Sequence, residues 1–448
     1  MQQEPIDNPR PTSRLDANRS IIWRGFDFET GSFLLHIPSS TLVDCHRSMV
    51  IEVENTAPDK LSDPTTFFLK ELEAYLPKSS EKALPEVDIK SLALNVIQSC
   101  NLRCTYCYAG DGDYGRVSKM SFETATAAID RFARQQSAFH IVFFGGEPLM
   151  NVSLIQKIVA YCEAIPTTKF SYGMTTNATL FTPEITEFFK TYNFKLTISY
   201  DGKKETASKR VKIDRKTDSR QDVEKNLELF RAQLDALRKC DLRATLCRDD
   251  VDELEKTILA TLRSQNLRWS YVRHATDVVK DQLTQSEAHK VGKILERVVD
   301  SLLENKDYQR LLKLGNIKVH IHDIYKGKTQ QRFCGAGLNY ASVSSDGDLF
   351  VCHRFTEDKN AMIGSVKDGI DLKQLSVIQN LRTTNQEPCQ SCWMREWCGG
   401  GCMHEHYTSK DKKLDQVDPV FCILQDYECK QAVRVFTHIK KHAPELLA

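Results

Sequence analysis

Between about Leu92 and Ala275 the chain alternates strand-like and helix-like pieces in a steady rhythm, and this constrains its fold more than any other feature. Six apolar runs read as strands: LALNVIQ from Leu92, HIVFFGG from His140, FSYGMTTN from Phe170, FKLTISYDG from Phe194, LRATLCRDD from Leu242 and LRWSYVRHA from Leu267. Helical stretches separate them. One starts at Ser121, a good N-cap, with Glu123 in the first turn and Phe122, Ala125, Ile129 and Phe132 spaced for one buried face. Another is expected from about Gln221 to Lys239. Such alternation implies parallel strands joined by right-handed helical crossovers, an α/β fold with its functional loops at the strands' carboxyl ends.

The flanks differ. Residues 1–85 read as a small α+β unit: a polar, proline-bearing head, strand-like pieces around FLLHI and MVIEVE, then a helix in FFLKELEAYL. The stretch KSSEKALPEVD reads as a linker. A helix-rich connection from about Ser286 to Lys313 leads out of the repeat, so the 448 residues divide at 1–85, 86–315 and 316–448. A net charge of +1, from 61 basic and 60 acidic residues, gives no general footprint for nucleic acid. The amino terminus lacks the order of a secretion signal and no apolar run is long enough for a membrane span. A cytoplasmic protein without nucleic-acid or membrane partners is expected.

Fifteen cysteines in such a chain call for metal rather than disulfides. Cys45, Cys162, Cys240, Cys247 and Cys429 stand outside any pattern and read as small buried hydrophobes or inert thiols. The other ten fall into groups. Cys100, Cys104 and Cys107 form CxxxCxxC directly after the first strand of the repeat. Three such thiolates can each hold one iron of a cubane cluster and leave the fourth iron open to a small molecule. Half of a zinc site and a redox CxxC are the alternatives. Farther on, VFFGGEPLM places Gly145, Gly146 and Glu147 at a strand end, where paired glycines allow close backbone approach and a carboxylate can receive an amine. Ser199 and Asp201 end another strand, and Arg210 follows, with Arg215 and Arg220 as rivals for pairing with a carboxylate.

The CxxxCxxC loop with Tyr106, followed by GGEP, resembles the signature of radical S-adenosylmethionine enzymes. The resemblance implies a partial (β/α)6 barrel, a [4Fe–4S] cluster on Cys100, Cys104 and Cys107, and S-adenosyl-L-methionine chelating the open iron. Reductive cleavage then yields a 5′-deoxyadenosyl radical that takes a hydrogen atom from the substrate. Gly145, Gly146 and Glu147 would hold the methionine amino group, Ser199 the ribose, Arg210 the carboxylate, and Tyr106 could stack on adenine or simply pack. MTTN at Met174 to Asn177 matches a family strand in outline.

Cys334, Cys352, Cys389, Cys392, Cys398, Cys402 and Cys422 resemble the SPASM domain, which carries two auxiliary [4Fe–4S] clusters, three in all. By its interleaved ligation Cys389, Cys392, Cys398 and Cys422 would complete one cluster and Cys334, Cys352 and Cys402 the other. The latter is one thiolate short, to be filled by Cys429, water or a substrate group. His353 stands where sulfatase-maturing relatives have a proton-accepting aspartate, and serves as base, relay or donor to cluster sulfur. His320 and His322, alternating on a strand, and the run His404, Glu405, His406 read as ordinary polar surface. The resemblance therefore implies a maturase of a ribosomally made precursor peptide that installs a thioether or carbon–carbon cross-link, fed by a reductant such as flavodoxin or ferredoxin. The amino-terminal unit would recognise the leader. Formylglycine formation in a sulfatase, or an inactive metal-stabilised scaffold, are the alternatives.

Overall fold

The computed structural model describes residues 22–76, 87–202, 209–237, 239–263, 265–272, 281–330, 332–380, 387–409, 413 and 415–447. The amino-terminal head, nearly all of the expected linker and the last three residues of LRWSYVRHA lie outside them. The described chain opens with an antiparallel sheet of β1 (Trp23–Phe28), β2 (Gly31–His36) and β3 (Thr41–Cys45), in that order. Two helices follow, α1 (Arg47–Asn55) and α2 (Asp63–Tyr75). MVIEVE, expected as a strand, lies inside α1. The His46 ring caps it by accepting from the Ser48 N–H, and Met49, Val50 and Val53 share one face on a core with Trp23, Leu34 and Leu69.

All six expected strands form, because a parallel strand buried on both faces reads as a nearly unbroken apolar run. They are β4 (Ser91–Gln98), β6 (Ala138–Gly145), β7 (Lys169–Thr176), β8 (Lys195–Ser199), β9 (Lys239–Leu246) and β10 (Asn266–Tyr271), while β5 (Ser118–Lys119) pairs antiparallel with the end of β4. Between them run α3 (Phe122–Phe132), α4 (Val152–Glu163), α5 (Pro183–Thr191), α6 (Arg220–Leu229), α7 (Arg231–Asp235) and α8 (Leu254–Thr261). Ser121 caps α3, its hydroxyl accepting from the Thr124 N–H at 3.0 Å. The helix expected over Gln221–Lys239 is broken. Its backbone leaves helical geometry at Phe230, whose ring is buried beside Phe181, and Lys239 already belongs to β9.

Beyond the repeat come α9 (Gln285–Glu304), α10 (Tyr308–Leu311) and α11 (Gly315–Tyr325), then β11 (Tyr340–Val343), β12 (Asp348–Phe350), β13 (Met362–Ser365) and β14 (Gly369–Ile370). Four helices follow: α12 (Leu372–Asn380), α13 (Arg395–Cys398), α14 (Met403–Ser409) and α15 (Pro419–His442). Strand β11 lies parallel to β4, so the sheet runs β10-β9-β8-β7-β6-β4-β11-β12-β13-β14. The cysteine-rich region thus continues the sheet of the repeat. The buried Asn95 of β4 fastens the junction, its amide N lying 2.8 Å from Ser342 Oγ and 2.9 Å from the Val343 carbonyl. His320 and His322 lie on α11, not on a strand, and two residues apart on a helix means nearly opposite faces. His320 is buried beside Gln425 of α15 and His322 is exposed. Arg434 of α15 grips Glu29 of the first sheet and Asp300 of α9, and Thr30 meets Thr437 at 2.9 Å. Among the described residues no helix is long and apolar enough to cross a membrane.

Candidate functional site

The Cys100 loop leaves the carboxyl end of β4 and is pinned by backbone bonds on two sides. Glu147 N–H donates to the Ser99 carbonyl at 2.9 Å, while Arg103 and Thr105 N–H donate to the Val211 and Lys209 carbonyls. Glycine is required at the first contact. A Cβ at Gly145 would stand 2.1 Å from the Ile97 oxygen, and one at Gly146 2.1 Å from the Ser99 oxygen. Burial lifts the Cys100 and Cys104 thiols to about 12, and the charges of their fellow cysteines add to the rise. Buried and mutually repelling thiols are what a positively charged cluster would relieve, releasing their protons on binding.

Glu147 is itself buried. It accepts from Thr176 Oγ1 and the Asn177 N–H, both at 2.7 Å, and from the Leu149 N–H at 3.1 Å, yet burial still raises its carboxyl to about 7. MTTN is thereby more than a strand end: it orients Glu147, and the Asn177 amide also reaches Asn101 in the cysteine loop at 2.9 Å. Of the three candidate arginines only Arg210 is buried beside the thiols. It chelates Asp201 at 3.0 and 3.2 Å, and its guanidinium lies 5.3 Å from the Tyr106 ring centroid. Tyr106 donates its hydroxyl to the same Asp201 at 2.5 Å, which places its ring in that network. Arg215 pairs with Asp111 and Arg220 with Asp218, both farther out. Ser199 ends β8, in register with Arg243 of β9.

Most of the remaining patterned thiols, expected as two further sets, also have raised pKa values. Burial, then the charge of Cys334, raises Cys352 to about 12; Cys402 rises to about 11, with Cys334 contributing. Burial raises Cys398 and Cys422 too, and each feels Cys389 and Cys392. Cys429 is fully buried, and the thiols that perturb it most are Cys398 and Cys392 of the expected four-membered set. Among the described residues no three His, Cys, Asp or Glu side chains converge to hold a single metal ion. A cubane asks for a wider arrangement, because each thiolate grips a different iron.

Between the Cys100 loop and Cys352 lies a buried polar layer that the spacing of motifs did not reveal. Tyr108, next to Cys107, has its hydroxyl 3.4 Å from that of Tyr114 and carries the Arg354 guanidinium over its ring at 5.2 Å. Arg354 pairs with Glu405. His353 is half-buried, its Nδ1 2.5 Å from Tyr340 Oη and 3.8 Å from Cys352 Sγ, and the loss of hydration followed by the nearby arginines lowers it to about 3. His404, Glu405 and His406, expected as polar surface, are all buried. His404 packs between Tyr108 and Phe355, and His406 bridges the Gly400 carbonyl and the Asp418 N–H. The signal for most of these residues was adjacency: Tyr108, His353, Arg354, His404, Glu405 and His406 each stand one to four positions from a patterned cysteine.

Residues 94–260 match the model of the Radical SAM superfamily. An uncharacterized protein of Methanocaldococcus jannaschii, MJ0907, is 42% identical over 115 residues, which are 25% of this chain and 39% of that protein. The radical SAM cyclopropyl synthase TigE of Paramaledivibacter caminithermalis is 24% identical over 339 residues, 70% of this chain and 68% of TigE. The solved structure of native anSMEcpe with bound AdoMet and Kp18Cys peptide superposes with a TM-score of 0.62 at 18% identity, covering 80% of this chain and 98% of that one. The likeness is one of fold, a parallel α/β sheet with a cysteine-rich continuation. Residues 94–260, from β4 and its cysteine loop through the strand ends that carry Glu147 and Asp201, are thus similar to the Radical SAM superfamily.

Proposed function

We propose that the protein matures a ribosomally made precursor peptide, installing a thioether or carbon–carbon cross-link. The observation that carries the reading is the packing of the Cys100 loop, at the end of β4, against Gly145, Gly146 and Glu147 at the end of β6. Cys100, Cys104 and Cys107 would hold one [4Fe–4S] cluster, Cys389, Cys392, Cys398 and Cys422 a second, and Cys334, Cys352 and Cys402 a third. With S-adenosylmethionine bound, the first supplies a 5′-deoxyadenosyl radical for hydrogen abstraction, with electrons from a flavodoxin- or ferredoxin-type donor.

The chain's own groups prepare the site. Thr176 and the Asn177 N–H hold the Glu147 carboxylate where an ammonium would ionise it, and Asp201 keeps Arg210 fixed beside Cys104 to meet a carboxylate. His353, lowered to about 3, is neutral near pH 7 and accepts the Tyr340 hydroxyl proton in a hydrogen bond. The sheet β1-β2-β3 offers β3 as an edge for an added peptide strand, the mode expected of a leader. The peptide-bound anSMEcpe structure supports a peptide substrate.

The test is anaerobic reconstitution of the full chain. About twelve iron atoms per chain are expected, falling to about eight in the Cys100→Ala, Cys104→Ala, Cys107→Ala variant, which should form no 5′-deoxyadenosine. Unchanged iron in that variant, or zinc in its place, overturns the reading.

A further inference from the structure

Arg243 stands in the middle of β9, in register with Ser199 of β8 and Arg268 of β10. Its neighbours Leu242 and Ala244 are buried, so Arg243 projects from the opposite face of the sheet. The side chain is open to water. Among the described residues its guanidinium makes no hydrogen bond or ion pair. This is unusual here, because even exposed arginines such as Arg134, Arg215 and Arg297 each hold a carboxylate. The charged groups that reach Arg243 are Arg354, Arg268, Glu405 and Cys402. Water reaches the side chain from one side only, and the protein crowded around the rest of it, then Arg354 and Arg268, push its pKa down, with Glu405 and Cys402 only partly offsetting them. The nearby acid is already committed, since Glu405 is paired with Arg354. Its Oε2 is buried without a hydrogen-bond partner among the described residues and can accept an N–H from whatever enters.

A water-accessible guanidinium with five donors, set among more positive than negative charge, is a receptor waiting for an anion. We propose that Arg243 binds a carboxylate of the peptide substrate, an aspartate or glutamate side chain or a chain terminus, on the Cys402 side of the repeat. The assignment rests on the peptide-maturase reading above. The carboxylate of S-adenosylmethionine is the other source of the same chemistry. Arg210 is better placed for it, because Arg210 lies beside Cys104 and Cys107, whereas every charged group perturbing Arg243 is an arginine or comes from the Cys402 side. Two parallel N–H···O bonds to a carboxylate fix the orientation of the carbons next to it, and thus which C–H bond faces the radical.

Two measurements on the anaerobic, cluster-loaded full chain test this. In the first, arginines are labelled with phenylglyoxal and Arg243 is read by mass spectrometry. Glutarate should protect it and glutaramide should not. In the second, binding is measured for a peptide pool with a central glutamate and for the same pool with glutamine. The glutamate pool should bind about tenfold to a hundredfold more tightly. Arg243→Gln should abolish the preference, and Arg243→Lys should keep part of it, because a point charge attracts without the bidentate grip. Absence of protection, or equal binding of the two pools by the wild-type chain, overturns the assignment to a peptide carboxylate. A drop in S-adenosylmethionine affinity in Arg243→Gln, with the preference for glutamate retained, gives the guanidinium to the cofactor and also overturns it. Glutarate protection without binding of either pool supports the receptor and places the failure on the peptide reading.

Discussion

Cys429 separates two accounts of the three-thiol group. The tail was one source for its missing ligand, but Cys429 is buried within α15, and the thiols that perturb it most are Cys398 and Cys392. Cys429→Ala is therefore expected to keep the full iron content and lose about 1 kcal/mol of stability from the vacated volume, measured by iron assay and denaturant unfolding. Loss of four irons would show that the thiol is a ligand. The ten patterned cysteines stand out in the sequence because spacing within a loop is a sequence property, and their ligation is the part proposed above. Arg243 does not stand out, since its isolation depends on which sheet face it occupies and on what Glu405, about 160 positions away, already holds. His404, Glu405 and His406 were misjudged for a related reason: polarity suggested surface, and only the fold reveals the partners that make their burial tolerable.

Among the elements, α15 carries more connections than its composition suggests. It packs along α9 and α11, bears Cys422, and through Arg434 holds the amino-terminal sheet. Glu29 is held at about 2: burial acts to raise it, and the Arg434 and His438 bonds outweigh that. Arg434→Ala should cost only about 1 kcal/mol, because Glu29 and Asp300 are each more than a third exposed and water screens the pair. Its clearer effect should be faster proteolytic nicking around β1–β3, read by limited digestion. Unchanged nicking would mean that Phe26 against Trp393 suffices to seat the sheet. The parallel strands were readable as apolar runs. MVIEVE misled because its apolar residues fit a strand's alternation as readily as a helix face, and the cap at His46 decides between them.

For the molecule as a whole, two carboxyls, the buried Glu147 and the half-buried Glu428, set an unusual pH response. Glu147 and Glu428 both rise to about 7 through burial, the latter despite bonds from Asn316, Trp269 and Gln425. The folded state thus holds protons that the unfolded chain releases. Their stabilising contribution is complete below about pH 4.5 and lost as pH rises to about 7, on the order of 3 kcal/mol each. His320, lowered by burial to about 4, works the other way, its contribution being lost as pH falls from 6.5 to about 4. Glu428→Gln should be more stable, relative to wild type, at pH 7.5 than at pH 5 in urea titrations. An identical difference at both values would remove Glu428 from the account.

The order of synthesis gives the position of Cys422 a further meaning. The first thiol loop leaves the ribosome some 320 residues ahead of it. At ordinary elongation rates that interval is on the order of half a minute. The amino-terminal sheet, made first, waits as long for the helix that seats it. On the proposed ligation the four-thiol group can be completed only after α15 is made, and a nascent chain stalled before α15 would expose Cys389, Cys392 and Cys398 as three unclaimed thiols to oxidation.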